Sequence, residues 1–289
     1  MTDPSGSAES ATETAPAAAK KRRSGRNVPV ATAVGVSMAA LVLITVYSAT
    51  ALFVALVAVA VVVAVYEVCS VLEARTIHVP RVPLMVGGAA MVVAAYADGT
   101  DALTVALVLT VVAVAAARLA GAPNDRLGRD MVVGAFVAVY VPLLASAAVL
   151  MANADDGADR IVVFILAVVL SDTGGFAAGV RFGKHPMAPS VSPKKSWEGL
   201  GGSLVAATVG SSIVVPLLLD ATWWQGALVG LVAVFTATAG DLAESLLKRD
   251  LGVKDMGHLL PEHGGIMDRL DSLLPTAPVM ALVLAAVVG

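Results

Sequence analysis

Between Asp241 and Ser272 the sequence DLAESLLKRDLGVKDMGHLLPEHGGIMDRLDS packs carboxylates, basic groups, two histidines and a Gly-Gly pair between apolar runs. Lipid-facing helices do not carry such a load; charge of both signs at the end of a span is costly unless it is paired, hydrated or holding a metal. Asp241, Ser245 and Lys248 are spaced i, i+4 and i+7, with Glu244 at i+3, which puts them on one helical face. Asp241 and Asp268 come from separate segments and could together bind Mg2+, a hard cation that takes oxygen ligands and keeps waters and substrate phosphates. Lys248, Arg249, Lys254 and Arg269 would then neutralise phosphates, with Asp255, Asp271, Glu198 and Ser245 as further ligands or orienting groups. Gly264 and Gly265 would let the backbone approach a phosphate closely, and His263 would bond a phosphate or fix the loop. No H-E-x-x-H pattern accompanies the histidines, which argues against zinc.

A second polar group interrupts the apolar run 161–180. Asp172 lies midway along it, within Ser171-Asp172-Thr173-Gly174-Gly175, and a lone carboxylate at that depth must face the bundle interior or a hydrated cavity. The glycine pair is expected to break or thin the helix so that backbone amides point at an anion. After it, the stiff Ser192-Pro193 step presents Lys194 and Lys195, followed by Trp197 and Glu198. Such a loop could hold ammonium groups against a triphosphate or a lipid phosphate, because contacts of this kind are charge-assisted and strong.

The run SLLKRDLGVKDMGHLLPEHGGIMDRLD from Ser245 to Asp271 closely resembles the signature of the phosphatidate cytidylyltransferases, the CDP-diacylglycerol synthases. Ser245, Lys248, Arg249, Lys254, Asp255, His263, Gly264, Gly265, Asp268, Arg269 and Asp271 stand where that family has its polar residues. A second block, SDTGGFAAGVRFGKHPMAPSVSPKKSWEG from Ser171 to Gly199, is similar as well. The resemblance implies transfer of the cytidylyl group of CTP to phosphatidate, giving CDP-diacylglycerol and pyrophosphate. It also implies a homodimer, with membrane lipids as surroundings and no nucleic acid partner. That chemistry suits the residues: a phosphate monoester is largely ionised near neutral pH, with a second pKa of about 6, so positioning and charge neutralisation replace a strong protein base.

The elements that must position these groups are membrane helices. Of the 289 residues 58% are hydrophobic and 14% charged, mean hydropathy is +0.85, and a soluble surface needs roughly 25% charged residues. The lone Cys69 rules out an intrachain disulfide or a cysteine metal cluster. Residues 1–27 read as a disordered tail ending in the basic run KKRRSGR, and residues 28–289 as an all-α, polytopic catalytic domain. The apolar stretch Val28 to Tyr66 is long enough for two spans with a turn near Ser48 to Thr50. Further runs lie at about 82–97, 102–120, 131–151, 161–180, 200–219, 224–240 and 272–288, about nine spans in all, although the third and fourth, separated only by Asp98 to Asp101, could instead form a re-entrant pair. With the N-terminus in the cytoplasm, all of the 19 Lys and Arg residues except Arg160 fall on the inner side, whereas outer loops carry Asp98, Asp101, Asp155, Asp156, Asp159 and Asp220. That bias places both polar blocks on the cytoplasmic face of the cell's inner (plasma) membrane and the C-terminus outside.

Two other readings fit parts of the pattern. A CTP-dependent polyprenol or phytol kinase would use similar polar blocks but cut at the γ-phosphate, and an ion-coupled transporter could use Asp172 and Asp241. Transporters place such groups near the midplane of paired repeats, whereas here charge gathers at one interface and no repeat is visible.

Overall fold

Every backbone polar group of an apolar segment must be satisfied within the segment in lipid, so these runs fold as helices. The computed structural model describes residues 28–121, 125–257, 259 and 264–288; the tail 1–27 and His263 lie outside them. Helices α1 (Val28–Ser48) and α2 (Thr50–Ala74) are separated only by Ala49, in extended backbone at φ −166°. Helix α2 runs well past Tyr66, where its apolar run ends in the sequence, and so carries Glu67 and Glu73.

Helix α3 (Arg81–Ala120) folds back on itself at Asp98 (φ −147°) and Gly99 (φ 66°). Gly87 faces Thr110 across the fold, so its halves are antiparallel, and glycine supplies the positive φ that the reversal requires. The third and fourth expected spans are these two halves. Next, α4 (Leu127–Ala138) and α5 (Leu144–Ala152) form one continuous helix through a π turn at Val139–Leu143. Pro142 sits in that turn, where its missing N–H and ring would disrupt a regular α ladder.

Helix α6 (Gly157–Phe182) leads to an antiparallel hairpin of β1 (Pro186–Ala188) and β2 (Ser192–Ser196), then to α7 (Trp197–Leu219), α8 (Trp223–Asp250), the short α9 (Met267–Leu270) and α10 (Leu273–Val287). The hairpin is the one departure from the all-α expectation among the described residues. Among the described residues seven helices are long and apolar enough to cross a membrane, with α3 counted once despite its two halves: α2, α3, α4–α5, α6, α7, α8 and α9–α10. Their outward faces carry large apolar side chains such as Phe176, Val180 and Leu217, each more than 70% exposed, as lipid contact requires.

Two apolar cores hold the bundle. One joins α2 through α5 and takes in Leu251, Met256, Met267 and Leu274; the other joins α5, α6, α7, α8 and α10 with Val46 of α1 and Phe53 of α2. Polar contacts then sort the helix ends. At one end Asn153 donates to the carbonyls of Ala95 and Tyr96 at 3.1 Å, Tyr47 to Asp159 at 2.6 Å, and Gln225 to the carbonyl of Val287. At the other, Arg75 donates to the Gly252 carbonyl at 3.0 Å, Arg129 to that of Thr76 at 2.6 Å, and buried Arg118 to Asp130. Both polar blocks lie at this second, basic end.

Candidate active site

Helices α6 and α7 approach closely because small residues face each other. Gly174 and Gly175 lie against Gly199, Gly202 and Ser203, and the Ser203 hydroxyl donates to the Ser171 carbonyl at 2.7 Å. The helix is unbroken through Gly174 and Gly175, so the expectation of a helix break that aims amides at an anion is corrected. The pair serves backbone approach between helices. Ser171 is 1% exposed in this seam; Asp172, one residue on, turns to a cavity.

That cavity, of about 290 Å³, is bounded by Asp172, Lys194, Lys195 and Asp241, with Phe176, Met187 and Leu200 supplying apolar wall. Lys195 reaches Asp241 at 2.7 Å and the Thr238 carbonyl at 3.4 Å, and Ser245 donates to the other Asp241 oxygen at 3.2 Å. Asp172 lies in the electrostatic field of Asp241, Asp271, Lys195 and Arg269. The hairpin that carries the lysines is braced from two sides. Glu198 accepts from the Lys184 and His185 amides and pairs with His185 Nδ1 at 2.6 Å, while Arg249 donates to the Val191 carbonyl at 3.3 Å. Ser196 caps α7, accepting from the Gly199 amide at 3.1 Å, which fixes the end of the strand that presents Lys194 and Lys195.

Helix α8 carries Asp241 to the cavity and ends in a Schellman turn. Gly252, at φ 61°, donates to the Arg249 carbonyl at 3.0 Å, and Val253 donates to that of Lys248 at 2.9 Å; this bonding satisfies the last carbonyls and needs a left-handed residue. Lys254 and Asp255, just beyond that turn, are both exposed. Asp268, 3% exposed, ties these segments together: it accepts from the Met256 amide at 3.0 Å, the Gly265 amide at 2.8 Å and the Lys248 ammonium at 3.0 Å. Lys248 also lies 3.1 Å from Glu244. That is an ion pair by distance, although neither fully buried Glu244 oxygen has a well-aligned hydrogen bond. Asp271 turns inward to its neighbour, accepting from the Ser272 amide at 2.7 Å. Arg269 instead lines an apolar cavity of about 350 Å³ between α1, α2, α5, α6 and α10.

The structure therefore brings together Asp172, Lys194, Lys195 and Asp241 at the cavity, with Ser245 beside Asp241, and joins Lys248 to Asp268 below them. Glu198 and Arg249 hold the hairpin rather than line the cavity. The two signature glycines have intramolecular reasons. A Cβ on Gly264, whose φ is 79°, would stand 2.9 Å from Asp268, and one on Gly265 would overlap the Glu67 carboxylate. Glu67 itself, 6% exposed, accepts from the Ile266 and Met267 amides at 3.1 and 2.9 Å. The sequence reading missed it; the only signal was a carboxylate one residue beyond a long apolar run.

The donor chemistry suits Mg2+. Its carboxylates are hard oxygen donors, and no three His, Cys, Asp or Glu residues among those described form a protein-only cage. Mg2+ commonly takes only one or two carboxylates and completes its shell with water and substrate phosphates.

The family model described as the cytidylyltransferase family matches residues 29–287. The phosphatidate cytidylyltransferase of Mycobacterium leprae (strain TN) is 43% identical over 272 residues, covering 89% of this chain and 87% of that protein. That of Mycobacterium bovis is 39% identical over 279 residues, 92% of this chain and 91% of that protein. The phosphatidate cytidylyltransferase of Haemophilus influenzae is 42% identical over a shorter stretch of 121 residues, 40% of this chain and 42% of that protein.

Proposed function

The chain belongs to the cytidylyltransferase family, and from that premise we propose that it transfers the cytidylyl group of CTP to phosphatidate, yielding CDP-diacylglycerol and pyrophosphate. It is a multi-pass membrane nucleotidyltransferase of phospholipid biosynthesis. The observation that carries the assignment to this site is the cavity at the basic helix ends, where Lys194 and Lys195 face Asp172 and Asp241. Neither the lipid kinase nor the transporter reading finds support in the relatives.

The reaction is an in-line exchange at phosphorus. A phosphate oxygen of phosphatidate attacks the α-phosphorus of CTP, a P–O bond forms, and the bond to the β-phosphate oxygen breaks, releasing pyrophosphate. The attacking oxygen is already ionised, so the protein supplies positions and charge. Lys194 and Lys195 meet phosphate at the cavity wall. Lys248, fixed by Asp268 and Glu244, adds positive charge beside the cavity together with Lys254 and, from the neighbouring apolar cavity, Arg269, while Arg249 acts through the hairpin it holds. Asp255 and Asp271 orient the loop and the first turn after it. Asp241, which lines the cavity, and Asp268 would hold Mg2+, which would neutralise the phosphates when bound.

In this reading the basic end faces the cytoplasm, where CTP is found. The N-terminus is cytoplasmic and the C-terminus outside, in the inner membrane, and the enzyme works as a homodimer among membrane lipids. The deciding experiment incubates purified protein with phosphatidate, labelled CTP and Mg2+, with and without chelator. CDP-diacylglycerol and pyrophosphate that vanish with chelator are expected. CDP and a phosphorylated alcohol would transfer the assignment to a kinase. A cysteine at Asp156 in a Cys69→Ser background is expected to react with an impermeant thiol reagent from outside only; labelling from the cytoplasmic side alone would invert the topology.

A further inference from the structure

We infer that Glu67, on α2, is a positioning residue for the catalytic loop 264–271, acting through the backbone that carries Asp268. Its two carboxylate oxygens take the amides of Ile266 and Met267 separately, at 3.1 and 2.9 Å, across some 200 residues of sequence. The next residue is Asp268, whose own oxygens hold Lys248, Met256 and Gly265. Rotating the 266–267 peptide would therefore turn Asp268 away from Lys248 and from the α8 face that also bears Asp241. Among the described residues no Lys or Arg pairs with Glu67. Its charge is spent on backbone amides alone, an arrangement that defines a direction rather than merely neutralising a neighbour.

The glycines around it give the independent observation. Gly257 and Gly265 both approach the carboxylate, and a Cβ on either would overlap it. Close packing of this kind leaves the backbone at these two glycines no slack. So Gly265, expected to make room for a phosphate, makes room for Glu67. A displacement of about 1 Å in a reacting group can cost on the order of 100-fold in rate, so the brace should be felt in turnover rather than in substrate affinity.

This inference rests on the cytidylyltransferase reading, and its test separates the two. Glu67→Ala, Glu67→Gln, Gly265→Ala and the Glu67→Ala/Gly265→Ala double variant are purified in lipid nanodiscs. Their kcat, KM for CTP and amide hydrogen exchange are measured. Glu67→Ala should lower kcat by about 30- to 100-fold with KM within about 3-fold, and exchange should quicken across 264–268 only. Glu67→Gln keeps one acceptor and should recover part of the rate. The added methyl of Gly265→Ala collides with Glu67 only where Glu67 is present, so the double variant should lose at least about 10-fold less than the product of the single losses. Unchanged kcat in Glu67→Ala, exchange that quickens uniformly over the whole protein, or strictly multiplicative losses would each overturn it. Should Glu67→Ala fail to fold, the Gln variant and Gly265→Ala carry the same tests. If the wild type makes no CDP-diacylglycerol the functional reading falls, while the exchange pattern still judges the brace.

Discussion

The two polar blocks share one end of the bundle but spend their charge in opposite ways. The Ser171–Gly199 block turns Asp172, Lys194 and Lys195 into a cavity, and its only internal ion pair, His185 with Glu198, stands away from that cavity. In the Ser245–Asp271 block Asp268 is bonded to an ammonium and two amides, and Lys248 is divided between two carboxylates. One block offers charge to a ligand and the other uses charge to hold itself still. A transferase needs both: groups that meet phosphate, and a frame that keeps them in place when the phosphate charge arrives.

Changes in the frame should therefore be the more damaging. Asp268→Ala leaves the Met256 and Gly265 amides unpaired and Lys248 with Glu244 alone, in a site that is 3% exposed. Breaking a buried pair in this way costs about 3–5 kcal/mol, and turnover should fall by at least about 1,000-fold while some protein still inserts. Asp268→Asn keeps the shape and separates packing from charge; its activity per folded molecule, measured after size-exclusion chromatography, should stay below about 1% of wild type. Wild-type turnover in either variant would erase the distinction between the blocks.

Lys195→Ala comes next. It removes a cavity-facing ammonium and leaves Asp241, about one-third exposed, to water. Solvent takes up the freed carboxylate, so folding should be nearly unchanged, and KM for CTP should rise about 10-fold with a smaller change in kcat. Initial rates across a CTP series decide it. A collapse of kcat at constant KM would move Lys195 from the open block into the frame.

Much of this architecture was readable in the sequence because lipid leaves few options. Long apolar runs became helices, and Asp98 to Asp101 marked a reversal that Gly99 alone could turn. The alternation of Arg and Lys with Asp sorted the ends before any contact was known. The i, i+4, i+7 face of α8 also survived, down to the Ser245–Asp241 bond. Glu67 could not be read, because its partners lie some 200 residues away and are backbone amides with no side-chain identity. The glycine pairs misled for a related reason. Glycine reports that something comes close, but a helix, a carboxylate and a phosphate leave the same mark on a sequence. The β-hairpin at Pro186–Ser196 hid inside a loop that composition described only as basic.

The smallest effect is expected where the open block borrows a frame. Glu198 ties the Lys184 and His185 amides and the His185 ring to the first turn of α7, and so sets where the hairpin begins without touching the cavity. Glu198→Gln retains one acceptor oxygen and should raise KM for CTP only about 2-fold; Glu198→Ala removes the whole brace and should raise it about 5-fold, both with kcat held. The ordering matters more than the size. Because Lys194 and Lys195 follow the hairpin, loosening its base should blur their positions, and Lys195→Ala should then add little in the Glu198→Ala background. Independent, multiplicative effects would mean that the lysines are placed by α7 and the Ser196 cap alone.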